Sequence, residues 1–141
     1  MSRSALFNEE ARSALVTGAH LVRDAVKVTM GPKGKTVVIQ AKEGYHPIVT
    51  KDGVSVAKEI QPKDEKVAIG AQLVRSVSQK AMSAAGDGTT TATVLAGAII
   101  DEGMRYVATT ANLNAVRKGI EYGTQKVVDK LAEISTQIET P

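Results

Sequence analysis

The sequence contains no cysteine and no tryptophan, and among its 141 residues there are one phenylalanine, three tyrosines and two histidines. Without cysteine there is no disulfide framework, no thiolate metal site and no thiol nucleophile, a composition that suits a reducing compartment. His20 and His46 are too few for a histidine-based metal centre. So few aromatic rings leave none of the stacking platforms that single-stranded nucleic acids bind. Basic residues outnumber acidic ones by 18 to 15 and are scattered rather than gathered into a run, so the electrostatic footprint of a nucleic-acid binder is missing too. No apolar stretch is long enough to span a bilayer, and the chain turns acidic at Glu9 and Glu10, where a secretory signal would need its apolar core. We therefore expect no nucleic acid and no membrane among the partners. The expected location is cytoplasmic, or an organelle matrix in a eukaryote.

With 43% hydrophobic and 23% charged residues, the chain has the make-up of one compact soluble domain, or of part of one. Ala11, Leu15, Ala19, Val22 and Val26 recur at spacings of three and four, which predicts a helix from Glu9 to near Gly31-Pro32. Thr36-Val37-Val38-Ile39 and Ile48-Val49-Thr50 are short β-branched runs separated by a polar segment, and predict a hairpin with Pro47 marking an edge. Val67, Ala71, Val74, Val77 and Ala81 carry a second helical stripe between Asp64 and Ala85, with Gly86 as its stop. Val116, Ile120, Gly123, Val127, Leu131 and Ile134 carry a third, capped by Asn112 or Asn114. Gly119 and Gly123, one turn apart, would admit a close backbone. The run TTTATVLAGAII, residues 89–100, is ambiguous: its β-branched residues favour a strand, while its length and alanine content permit a buried helix. Pro141 follows the last helical pattern without a closing element, so truncation is an expectation as well.

Three loops carry residues of a chemical kind. In Gly86-Asp87-Gly88-Thr89-Thr90-Thr91 a flexible turn precedes three hydroxyls; at the start of a helix, free N–H groups and the helix dipole would face an anion, and Asp87 could hold a magnesium ion. The plainer alternative is that Asp87 and the threonines cap a helix. Thr29-Met30-Gly31-Pro32-Lys33-Gly34 could let a ligand approach the backbone, or be an ordinary turn; it lacks the GxxxxGK[ST] spacing of a P-loop. In Thr50-Lys51-Asp52-Gly53, Lys51 could neutralise phosphate charge and Asp52 could orient a water or assist a metal, or the four could form a polar turn.

Taken together, VTMGPKGKTVVI (residues 28–39), IVTKDGVSVAKEI (48–60) and AAGDGTTTATVLAGAII (84–100) resemble the group I chaperonins, the GroEL family, in order, wording and spacing, and the resemblance covers nearly the whole chain. It implies a mainly α fold: long packed helices with a small β-hairpin or stem-loop, the N-terminal half of the family's equatorial, ATP-binding domain. In that fold residues 89–103 are helix, which overrides the strand propensity. It also implies ATP, magnesium and potassium as cofactors, identical subunits assembled in a ring, non-native client proteins and a co-chaperonin lid. Carried over position by position, Thr29, Met30, Gly31 and Pro32 match the loop around the nucleotide and Lys51 the lysine beside its phosphates. Asp87 matches the magnesium-binding aspartate, Gly88, Thr89, Thr90 and Thr91 the phosphate loop, and Asp52 the carboxylate that helps position the attacking water. Thr29, Lys51 and Thr90 are the candidate potassium contacts.

Two segments depart from the family pattern. Asn112-Leu113-Asn114 stands where the family often has Asn-Pro, and Ser4-Ala5-Leu6-Phe7 is only loosely like its first strand. The resemblance further implies that residues 1–141 end near the start of an intermediate domain, and that this domain with its catalytic aspartate, the apical domain and the second equatorial half lie beyond them. The expected function is that of an ATP-dependent folding chaperonin's N-terminal nucleotide-binding part, inactive as an ATPase by itself. The alternative is a non-hydrolysing module that docks to chaperonin subunits. A conventional small enzyme is a third class, for which no isolated catalytic constellation speaks.

Overall fold

A computed structural model describes residues 8–40, 46–109, 112–136 and 138. Among the described residues the order is α1 (Asn8–Lys27), β1 (Val37–Ile39), β2 (Ile48–Thr50), α2 (Gly53–Glu59), α3 (Glu65–Ala85), α4 (Thr89–Val107) and α5 (Leu113–Ile134). The described residues are mainly helical with one small antiparallel pair of strands, the expected class. It divides into two compact units, Met1–Asp101 and Glu102–Pro141.

The first unit is built on α1 and α3. Glu9 and Glu10 in the first turn of α1 and Lys27 in its last complement the helix dipole. Ala19, Val22 and Val26 of the predicted stripe are buried against Ala71 and Val74 of α3 and against Val56 and Ala57 of α2. Most of these side chains are small, so the elements must come close to exclude water. They do: a Cβ added at Gly18 would strike the Val67 carbonyl, and one at Gly70 would strike the Leu15 carbonyl, so the two helices cross backbone against backbone. Asp64 caps α3 by accepting from the Lys66 N–H at 2.8 Å, and Gly86, with φ of 70°, ends it by donating its N–H to the Met82 carbonyl.

The strands pair antiparallel with Val37 opposite Thr50, Val38 opposite Val49 and Ile39 opposite Ile48. Val37 and Ile39 turn toward the core while Val38 and Val49 stay exposed, the alternation of a sheet covered on one face. Residues 89–107 form one helix, so the strand propensity of the threonines and valines is overruled. Thr89, Thr93 and Gly97 make its buried face, and the Thr93 hydroxyl is satisfied by the Thr89 carbonyl one turn back, at 2.8 Å.

In the second unit α5 begins at its expected cap: the Asn112 side chain accepts from the Asn114 N–H at 2.9 Å. None of its residues is buried. Within this unit nothing approaches Gly119 or Gly123, so the close packing expected of that pair is not seen there. Ser4 to Phe7 lie outside the described residues.

Candidate functional site

Three polar loops leave the core at one place. The first follows α1: Thr29 and Met30 donate their N–H groups to the carbonyls of Val26 and Lys27, Gly31 takes φ of 77°, and Lys35 returns its N–H to the Val28 carbonyl at 2.7 Å. The result is a closed turn presenting Met30, Gly31 and Pro32 on its outside. The second is Thr50-Lys51-Asp52, leading into α2. The third is Gly86-Asp87-Gly88, with positive φ at both glycines, leading into α4. What joins them is Gly53, the first residue of α2. A Cβ there would collide with Thr90 Oγ1 and stand 3.0 Å from a methyl of Val26, so the start of α2, the start of α4 and the end of α1 meet at a position with room only for glycine.

The helix starts are not equivalent. Asp52, Asp64 and Asn112 each cap their helix with a side-chain oxygen. The residue before α4 is Gly88, which has no side chain to offer, and Asp87 Oδ1 instead accepts from the Gly88 N–H at 2.6 Å. Asp87 and the threonines therefore do not cap α4 here. Its first N–H groups, at Thr89, Thr90 and Thr91, have no protein acceptor among the described residues, and the positive end of the dipole is left facing outward. Thr89 is buried, Thr90 half-buried and Thr91 exposed.

Asp52 is engaged on its own helix. Its carboxylate accepts from the Val54 N–H at 3.2 Å, the Ser55 N–H at 2.9 Å and the Ser55 hydroxyl at 2.6 Å. Burial pushes its pKa up, but these three donors and the Lys58 charge outweigh it and hold the group below the ordinary carboxylate value. Lys51 beside it is exposed. Thr29 is half-buried and its hydroxyl donates to the Val26 carbonyl at 2.8 Å.

Thus Thr90 is brought to the Asp52 loop through Gly53, and the Thr29 loop to both through Val26. No hydrogen bond or ion pair among the described residues links Lys51, Asp52 and Asp87 to one another, and no three carboxylates or histidines among them gather into a metal cage. A magnesium ion would suit this donor set only in the form that takes one carboxylate and draws its other ligands from phosphate and water, which is the form expected of Asp87. Potassium would find oxygen at Thr29 and Thr90, but at Lys51 only the main-chain carbonyl. The sequence did not disclose α2. Asp52 followed three residues later by a hydroxyl, with Lys58 near the end, was its signal, masked by the β-branched Val54 and Val56. Gly53 as the contact point could not be found without the fold.

The family model described as TCP-1/cpn60 chaperonin matches residues 22–141. Among solved structures, the chain is similar to the chaperonin gp146 from the bacteriophage EL 2 (Pseudomonas aeruginosa), solved in the presence of ATP-BeFx. The TM-score is 0.76 at 27% sequence identity, covering 93% of this chain and 22% of that one. The chain thus spans about a fifth of the length of that chaperonin. No helix among the described residues is long and apolar enough to cross a membrane.

Proposed function

We propose that this chain, which belongs to the TCP-1/cpn60 chaperonin family, carries the phosphate-holding part of a nucleotide site and works as part of an ATP-driven, ring-forming protein-folding machine. The observation that carries this is the meeting of three helix ends at Gly53, each of them next to a polar loop, with the uncapped start of α4 among them. An uncapped N-terminus supplies N–H donors and partial positive charge where an anion's oxygens can reach them. Thr89, Thr90 and Thr91 would add hydroxyls, Lys51 a cation from the neighbouring loop, and Thr29 to Pro32, which follow the end of α1, backbone groups. ATP bound here with magnesium would supply the transferable phosphoryl group and the charge neutralisation that its transfer requires. The protein's own part is positioning and fixed electrostatics.

Asp87 is the carboxylate we assign to the metal side, since one of its oxygens accepts from Gly88 and the other has no partner among the described residues. Asp52 is the candidate for orienting water. Its three hydrogen bonds to Val54 and Ser55 favour a second reading for this segment, in which it binds nucleotide and assembles with chaperonin subunits without turning the nucleotide over.

Titration calorimetry with Mg-ATP separates the possibilities. Lys51→Ala and Asp87→Ala should each weaken binding by about tenfold or more while moving the melting temperature little, because neither side chain holds a helix end. If both variants bind as the parent does, the site assignment fails. Binding without phosphate release by this chain, with release restored when the rest of a chaperonin subunit is supplied, would favour the folding-machine reading; binding with no release even then would favour the assembly reading.

A further inference from the structure

Arg23 on α1 lies away from the loops described above, but it reaches α4. Its stem runs across Gly97: a Cβ at Gly97 would strike Arg23 Cδ and stand 2.8 Å from its Cγ. Its Nε donates to Asp24 Oδ1 at 2.8 Å, and its Nη1 donates to Asp101 Oδ2 on α4. The other oxygen of Asp101 pairs with His20 Nε2, one turn before Arg23. The Arg23 side chain is only 18% exposed. A planar guanidinium that serves two carboxylates on two helices fixes distance and orientation together, which a lysine ammonium cannot do.

We propose that Arg23 is a positioning residue for the nucleotide site: clasped to Asp101 across Gly97, it sets the height and rotation of α4 on α1, and thereby where Thr89 to Thr91 stand. This rests on the nucleotide reading given above. The buried face of α4, Thr89, Thr93 and Gly97, is made of small residues, which interlock weakly and leave the helix free to slide. A helix transmits a shift along its axis undiminished, and Asp101 lies about 18 Å from Thr89 at 1.5 Å per residue. Arg23 stands six residues before Thr29, so the clasp ties the helix that ends in one loop to the helix that starts from another. Its chemistry is specific to this grip: glycine at 97 to seat the stem, a carboxylate one turn further on to hold the head, and His20 to occupy the remaining oxygen.

Because the chain has no cysteine, Ser13→Cys on α1 and Ala98→Cys on α4, both exposed in the native chain, can carry a unique pair of spin labels. Their distance distribution would be measured in the whole chain carrying Arg23, Arg23→Met, Arg23→Lys or Gly97→Ala, with Mg-ATP affinity and melting temperature alongside. Arg23→Met keeps a stem and removes the fork; Gly97→Ala favours the helix by propensity yet pushes the stem off its seat. Both should shift or broaden the distribution and weaken Mg-ATP by about tenfold or more. Arg23→Lys should recover part of each effect. An unchanged distribution in both variants, with only the melting temperature lowered, would overturn the proposal and leave Arg23 a stabilising residue. A parent chain that binds no Mg-ATP would count against the nucleotide reading, while the label distance would still decide whether the clasp sets the position of α4.

Discussion

Gly53 shows how one missing side chain can organise a site. Its Cβ position is claimed by Thr90 Oγ1 and hemmed in by Val26, so glycine there is a condition for three helix ends to meet and not merely a helix start without a preference. Gly53→Ala should therefore force Thr90 out of its rotamer, at a cost of about 1–3 kcal/mol in unfolding free energy. Thr90→Ala in the same chain should restore most of that loss, because it vacates the space the new methyl needs. If denaturant titrations show the two substitutions costing stability independently, the contact does not exist in solution. Asp52 is instructive in another way. Its residue type and neighbourhood suggest chemistry, yet its visible work is to begin α2, and nothing in the sequence distinguishes a cap from a catalytic carboxylate when the same residue can be both.

At the level of elements, the apolar stripes of α1, α3 and α5 and the pairing of the two strands were legible because period and punctuation agreed: Asp64 and Asn112 at the starts, Gly86 at a stop. Two things were not legible from period alone, though the family resemblance already implied a helix for the first. Residues 89–107 are rich in threonine and valine, and their local preference for a strand is overridden by burial of Thr89, Thr93 and Gly97 at helical spacing. The short α2 lies among valines that alternate like a strand, and only its packing of Val54, Val56 and Ala57 shows the period. The site followed the same division. Its loops could be picked out from the sequence, whereas their convergence and the clasp between α1 and α4 depend on tertiary contacts between residues far apart in the chain. The helices also differ in what holds them. Within its own unit α5 has 22 residues and none buried, so its hydrogen bonds are protected there by little beyond the helix itself, while α1 and α3 are locked into the core of theirs. Amide hydrogen exchange should find α5 near the rate of an isolated helical peptide and the centres of α1 and α3 orders of magnitude slower. Equal protection would mean that Ile120, Val127 and Leu131, exposed here, are covered in solution.

For the whole molecule, three aspartates tie stability to pH in the same direction. Asp24 is held below its ordinary value of 3.8 by its hydrogen bond to Arg23, and Asp101 by its bond to His20 and the charges of His20 and Arg23. Asp52 is held low by Ser55 and Val54 despite its burial. A carboxylate whose pKa is depressed by folding contributes its full stabilisation above the unfolded value and loses it as the pH falls through the folded one. The melting temperature should therefore be level from neutral pH down to about pH 5 and then fall below about pH 4. Asp101→Asn should start lower and fall less; an acid limb as steep as the parent's would remove Asp101 from the account. Finally, the helix that starts at Thr89 lacks the cap that α2, α3 and α5 carry within their own sequence. An anion that settled on it would complete a secondary structure element as well as fill a site, so occupancy and folding of this unit would draw on one free energy and the ligand would become, in effect, a residue the chain leaves to be supplied from outside.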